Sequence, residues 1–218
     1  AQRTGATTIS NFEIQGWLAG QGVEKSHPLH IGGGYDFPFG RVKLTIAHHG
    51  SALPDGSYGG NPAGFLLTLE GKKIYHACDT GLFYDMKLLG DRHKIDVAML
   101  PIGDNFTMGP DDALRAVKLL APKLVIPSHY DTWDVIQQDP RAFVERVTEG
   151  DALDLHTQVD SLGEVNRLLV RGEVKAALII VQATGNFRAG LAYQLATTST
   201  DASSSWNNIG SLYTAGEH

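Results

Sequence analysis

The chain has 218 residues, 42% of them hydrophobic, which is enough to bury a core in one or two domains. Its formal charge is -6 and its 18 Lys and Arg are scattered singly, so neither nucleic acid nor an anionic membrane is an expected partner. A single cysteine, Cys78, excludes an intrachain disulfide and fits a reduced, cytoplasmic setting, and neither a signal peptide nor an 18-residue apolar run is read. The 25 glycines point to tight turns and strand-end loops, where chemistry usually sits.

Ser10 followed by Glu13 reads as a capping box, and Ile14, Trp17 and Leu18 recur at helical spacing before Gly20 and Gly22, so a short amphipathic helix is expected. From Phe37 to His49 the residues Val42, Leu44 and Ile46 alternate with Lys43, Thr45 and Ala47, the period of a half-buried strand. Two apolar runs, Phe65 to Leu69 and Ile74 to Ala77, flank Glu70-Gly71-Lys72 and predict a hairpin. Val97 to Leu100 predicts another strand before the loop Gly103-Asp104-Asn105. Pro110 suits the first position of a helix whose apolar face is Leu114, Val117, Leu120 and Ala121, and Pro122 ends it. A strand from Leu124 to Pro127 follows, then a helix opened by Asp139-Pro140 with Phe143 and Val147 one turn apart. This order predicts a mixed α/β layer fold over residues 1–160. Residues 161–218 read as a separate extension. Ser161 and Glu164 start a helix ending at Gly172, Val174 to Gln182 is strand-like, and Thr197 to Ser205 is nearly all Ser and Thr and is expected to be disordered.

Three predicted strands end in a potential metal ligand: the first in His49, the second hairpin strand in Asp79, the last in His129. Strand ends converge on one edge of a sheet, and imidazole with carboxylate is the donor set that holds Zn while leaving a position for water. Each residue also has a plainer structural reading. Asp79 before Thr80-Gly81 suits a turn aspartate bonding its own backbone, and His129 can simply close a strand. His48 continues the apolar face of Val42, Leu44 and Ile46 and is expected to be packed or hydrogen-bonded, leaving His49 on the opposite side. Asp104 and Asn105 face the same edge and are placed to orient ligands or substrate. Tyr130 and Asp131 are placed to fix the His129 ring. Asp55-Gly56-Ser57-Tyr58-Gly59 approaches the G-x-S-x-G elbow of serine esterases but lacks its first glycine and a preceding buried strand.

Five strings occur here in order: Ile31-Gly32-Gly33, Arg41 to Ser51 ending H-H-G-S, Y-H-A-C-D-T-G at 75–81, L-P-I-G-D-N-F-T-M-G-P at 100–110 and P-S-H-Y-D-T at 127–132. Together they resemble a bacterial and archaeal family of metal-dependent hydrolases within the metallo-β-lactamase superfamily, over residues 1 to about 150. The resemblance implies a metallo-β-lactamase-like αββα sandwich, of which this chain holds the second half and part of the first. It implies up to two divalent ions, Zn or alternatively Mn, with His49 as a terminal ligand of one, Asp79 bridging both and His129 as a terminal ligand of the other. It also implies Asp79 and His129 as catalytic residues. The reaction so implied is hydrolysis of a small-molecule ester, lactone, amide or phosphodiester by a metal-held hydroxide. One departure is large: the superfamily's H-x-H-x-D-H signature is missing, and no H-x-H occurs in these residues. Cys78 stands where relatives are expected to carry glycine. The competing reading is a non-catalytic relative acting through oligomerisation. A homo-oligomer is expected in either case, because one sheet without its partner exposes an apolar face.

Overall fold

The computed structural model describes residues 1–148 together with the two-residue strand pieces Gln158–Val159, Ile179–Ile180 and Leu191–Ala192. The helix expected from Ser161 to Gly172 and the Ser/Thr-rich stretch at 197–205 lie outside the described residues.

A short strand β1 (Thr8–Asn11) leads into helix α1 (Phe12–Gly20), and β2 (Ser26–Leu29) pairs with β1 in parallel. The helix is where periodicity put it, but its cap is not Ser10. Ser10 is buried in β1, and the Asn11 side-chain oxygen accepts the Ile14 N–H at 2.9 Å. An adjacent strand claims the serine, so the capping role moves one residue on.

The central sheet runs in the order β3 (Gly34–Phe37), β4 (Gly40–Ile46), β5 (Ala63–Leu69), β6 (Lys72–His76), β7 (Val97–Pro101), β8 (Leu124–Ser128) and β9 (Gln158–Val159). Strands β3 to β6 pair antiparallel and β6 to β9 parallel. The strand expected from Phe37 to His49 is thus two strands. Pro38 and Phe39 turn the chain between them, and β4 stops at Ile46. The β5–β6 hairpin turns on Glu70 (φ 47°) and Gly71 (φ 79°), two successive left-handed residues of the kind that match the twist of the flanking strands.

Helices α2 (Met86–Arg92), α3 (Pro110–Leu120) and α4 (Pro140–Thr148) complete the layers. Met86, Leu114, Val117, Leu120, Phe143 and Val147 from these helices form one buried cluster with Leu66, Tyr75, Ala98 and Val125 of the sheet. On the opposite face Val42, Leu44, Phe65, Leu67 and Cys78 gather a second cluster with Ile9, Leu29, Phe37 and Phe39. Both faces of one sheet are therefore apolar, which is why β5 and β7 read as continuous hydrophobic runs instead of alternating ones. No helix among the described residues is long and apolar enough to cross a membrane.

Candidate metal centre

Strands β4, β6, β7 and β8 all end at the same edge of the sheet, since β4 and β6 are both antiparallel to β5 and β6 to β8 are parallel. The expected ligands do not end these strands. His49 and Asp79 each lie three residues beyond β4 and β6, and His129 one residue beyond β8. They are loop residues that the strands deliver to one place.

His129 Nε2 lies 3.6 Å from Asp79 Oδ2, with side chains 20% and 17% exposed. That is long for a hydrogen bond. For comparison, two donors on one tetrahedral ion with ligand bonds of about 2.1 Å would stand roughly 3.4 Å apart. His129 Nδ1 is buried with no hydrogen-bond partner, and Nε2 is the nitrogen that faces Asp79. His49 is partly buried and close enough to Asp79 to act on its carboxyl: burial raises the Asp79 pKa, while the imidazoles of His129 and His49 oppose the rise. The His49 Nδ1 lies 2.8 Å from the Gly50 carbonyl. Among the described residues no three His, Cys, Asp or Glu side chains stand close enough to hold one ion. Asp79 is the acidic group that the two imidazoles, His129 and His49, have in common.

The expected neighbours are placed unevenly. His48 is exposed instead of packed in the core: β4 has already ended, and its ring lies 5.0 Å from that of Phe83 while its N–H donates to Thr80 Oγ1 at 2.8 Å. Asp131 does not fix the His129 ring, because its carboxylate accepts the Gln138 backbone N–H at 2.9 Å and Nδ1 has no acceptor. Tyr130 packs against the helical-face core cluster. Asp104 and Asn105 are exposed at the edge, with Asp104 Oδ1 accepting the Asn105 N–H at 2.8 Å. The serine elbow dissolves into a turn. Ser57 lies in an exposed loop and its hydroxyl donates to Asp55 Oδ1 at 2.6 Å.

Three residues missed in the sequence hold the site together. Thr80 is fully buried; its hydroxyl accepts the His48 N–H and donates to the Gly81 carbonyl, and its own carbonyl accepts the Met108 N–H at 2.9 Å. It ties the His49, Asp79 and 102–109 loops to one another. Gly103 packs so tightly on His129 that a Cβ there would meet the ring Nδ1 at 2.9 Å and the carbonyl oxygen more closely still. Trp133 sets its ring against His129, centroids 6.0 Å apart and nearly perpendicular. Nothing in spacing or periodicity marks these three, because their roles arise between segments distant in sequence. Of the seven non-glycine residues with positive φ among the described residues, Cys78, Asp104, Asn105, His129 and Asp131 sit at this edge. Backbone strain of this kind, about 1–3 kcal/mol per residue, clusters at functional sites.

Comparison with known proteins identifies the family and the fold. A family model described as the beta-lactamase superfamily domain matches residues 4–130. A UPF0173 metal-dependent hydrolase of Bacillus cytotoxicus is 55% identical over 153 residues, 68% of this chain and 67% of that relative. One from Desulforamulus reducens is 54% identical over 166 residues, 74% of this chain and 71% of that relative. Among solved structures, Igni18, a metallo hydrolase from Ignicoccus hospitalis, matches with TM-score 0.66 and 35% identity over 74% of this chain and 67% of that one. An isothiocyanate hydrolase from Delia radicum gut bacteria shares the fold, with TM-score 0.54 at 19% identity over 71% of this chain and 63% of that one. The chain belongs to the metallo-β-lactamase superfamily, in its UPF0173 family of metal-dependent hydrolases.

Proposed function

We propose that this chain contributes ligands to a two-ion hydrolytic centre that takes Zn, with Mn as the alternative ion, and that cleaves a small-molecule ester, lactone, amide or phosphodiester. Asp79 and His129 take one ion, and Asp79 and His49 the other. The observation that carries the reading is the 3.6 Å approach of His129 Nε2 to Asp79 Oδ2 without a hydrogen bond's geometry. When bound, divalent ions supply a Lewis acid for the substrate oxygen and bring the pKa of a water towards neutrality. The chain's own part is positional. Gly103 and Trp133 hold the His129 ring so that Nε2 projects towards Asp79, and Thr80 locks the Asp79 loop to its neighbours.

Titration calorimetry of the 218-residue chain with Zn is the test. Two ligands per position, where a catalytic zinc takes three from protein, predict micromolar or weaker binding that is lost in Asp79→Asn and in His129→Ala. Nanomolar affinity that persists in His129→Ala would refute the assignment. Turnover of generic esters is expected to be chelator-sensitive and far below the enzyme median of about 10 per second. Zn binding without any turnover favours the non-catalytic reading, and chelator-resistant turnover lost in Ser57→Ala favours a serine esterase.

A further inference from the structure

Four loops surround the ligands at this edge of the sheet, residues 47–62, 77–85, 102–109 and 129–139, and none contains a lysine or arginine. Besides Asp79 they carry Asp55, Asp85, Asp104, Asp131, Asp134 and Asp139, all exposed. Several of the sheet's lysines lie at its other end. Lys72 and Lys73 open β6, Lys123 precedes β8, and Lys72 and Lys123 are both within ion-pair distance of Asp96 just before β7. An anionic substrate approaching the ligands would meet loops that carry seven aspartates and supply no guanidinium or ammonium of their own to receive it.

The rim is also aromatic. Phe106 is 50% exposed, and its ring centroid lies 6.1 Å from that of Trp133, which in turn meets His129. Neither ring is presented by a loose loop. The turn under Phe106 is closed by Asp104 N–H to the Met108 carbonyl at 3.0 Å and Thr107 N–H to the Asp104 carbonyl at 3.1 Å, with Met108 buried. The turn under Trp133 is closed by Asp131 N–H to the Ile136 carbonyl at 3.0 Å and Ile136 N–H to the Trp133 carbonyl at 3.1 Å, with Ile136 buried. Two rigidly backed rings, one of them half open to water, form a wall that begins at a metal ligand. Such a wall recognises a flat apolar group by stacking and edge contacts.

We propose that the site takes an uncharged carboxyl derivative, an ester, lactone or amide bearing an aromatic group, and not a phosphodiester or other anion. Trp133 and Phe106 are the residues that bind its ring. This rests on the hydrolytic reading above for the place of the reacting bond, but the ring-binding wall is read from Phe106 and Trp133 independently of any metal.

The test has a binding arm and a turnover arm, both on the full chain. In the first, N-benzylacetamide is titrated with and without Zn while the Trp133 indole N–H is followed by NMR. The probe is expected to shift that signal in a saturable way, and Phe106→Ala to weaken binding about tenfold. In the second, the Zn-loaded chain is given 4-nitrophenyl phenylacetate, 4-nitrophenyl acetate and bis(4-nitrophenyl) phosphate. The phenylacetate is expected to lead in kcat/KM, the phosphodiester to trail it at least tenfold, and Trp133→Ala to remove the preference for phenylacetate over acetate. Equal or faster phosphodiester hydrolysis, or a Trp133 signal unmoved by the amide, overturns the proposal. If Zn fails to bind while the amide still depends on Phe106, the metal reading has failed and the ring-binding assignment stands.

Discussion

Replacing Gly103 by alanine adds one methyl group at the closest approach between the 102–109 loop and His129. The new Cβ would lie 2.9 Å from the ring Nδ1 and closer to the His129 carbonyl oxygen. Ordinary contact between such atoms is about 3.5 Å, so the His129 ring must retreat by about 0.6 Å, and its backbone by about 1.3 Å where the carbonyl is met. Nothing flexible lies there to yield instead, since Ile136 Cβ is the third neighbour at 3.2 Å. The backbone itself accepts alanine, because Gly103 is not among the glycines with positive φ. Overpacking therefore costs about 1–3 kcal/mol, offset in part by roughly 0.4–1 kcal/mol from a less flexible unfolded chain. The local displacement matters more than the stability. A shift of about 1 Å in a ligating ring is expected to weaken Zn binding, and any turnover, by ten- to a hundredfold. Calorimetry with Zn and a thermal melt on the same sample separate the two effects. Gly103→Ala that melts normally and binds Zn within twofold of the parent would show that the glycine does not position His129.

Two further outcomes follow from the same packing. His76 is buried, its Nδ1 accepts the Cys78 N–H at 2.9 Å, and burial pushes its pKa down to about 4 from an unfolded value of 6.5. Below the unfolded value the unfolded chain binds a proton that the folded one refuses, so this residue lowers stability as pH falls from about 6.5 to about 4, by roughly 3 kcal/mol in all. Urea denaturation near pH 7 and near pH 4 is expected to show that loss diminished in His76→Asn; an identical loss in both proteins refutes it. For α1, Asn11→Ala is expected to cost about 1–2 kcal/mol, since it removes both the cap to Ile14 and the bond to the Gly59 carbonyl, whereas Ser10→Ala leaves the cap in place. A larger loss for Ser10→Ala in chemical denaturation would restore the capping box.

Most of the fold was legible from periodicity and punctuation. Pro110 and Pro122 bracket α3, Asp139-Pro140 opens α4, and the apolar runs at 65–69, 74–77, 97–100 and 124–127 mark the four central strands. These signals are local, and local physics reports them. The residue types able to hold a metal were legible too, because His49, Asp79 and His129 follow β4, β6 and β8, three strands that run in the same direction. Helix α2 and the strands β1 to β3 carried no comparable signal: they are short, and pairing partners more than their own composition make them regular. What only the tertiary structure decided is how the scattered residues stand to one another. The 3.6 Å approach of His129 to Asp79, the bonds through which Thr80 joins three loops, and the empty Cβ position at Gly103 all arise between segments far apart in the chain. The same holds for the wall formed by Phe106 and Trp133, two aromatics that composition would assign to a core and that the strand-end loops instead bring together beside His129. Sequence spacing can name the donors, but a distance between side chains exists only once the sheet has brought its strand ends to one edge.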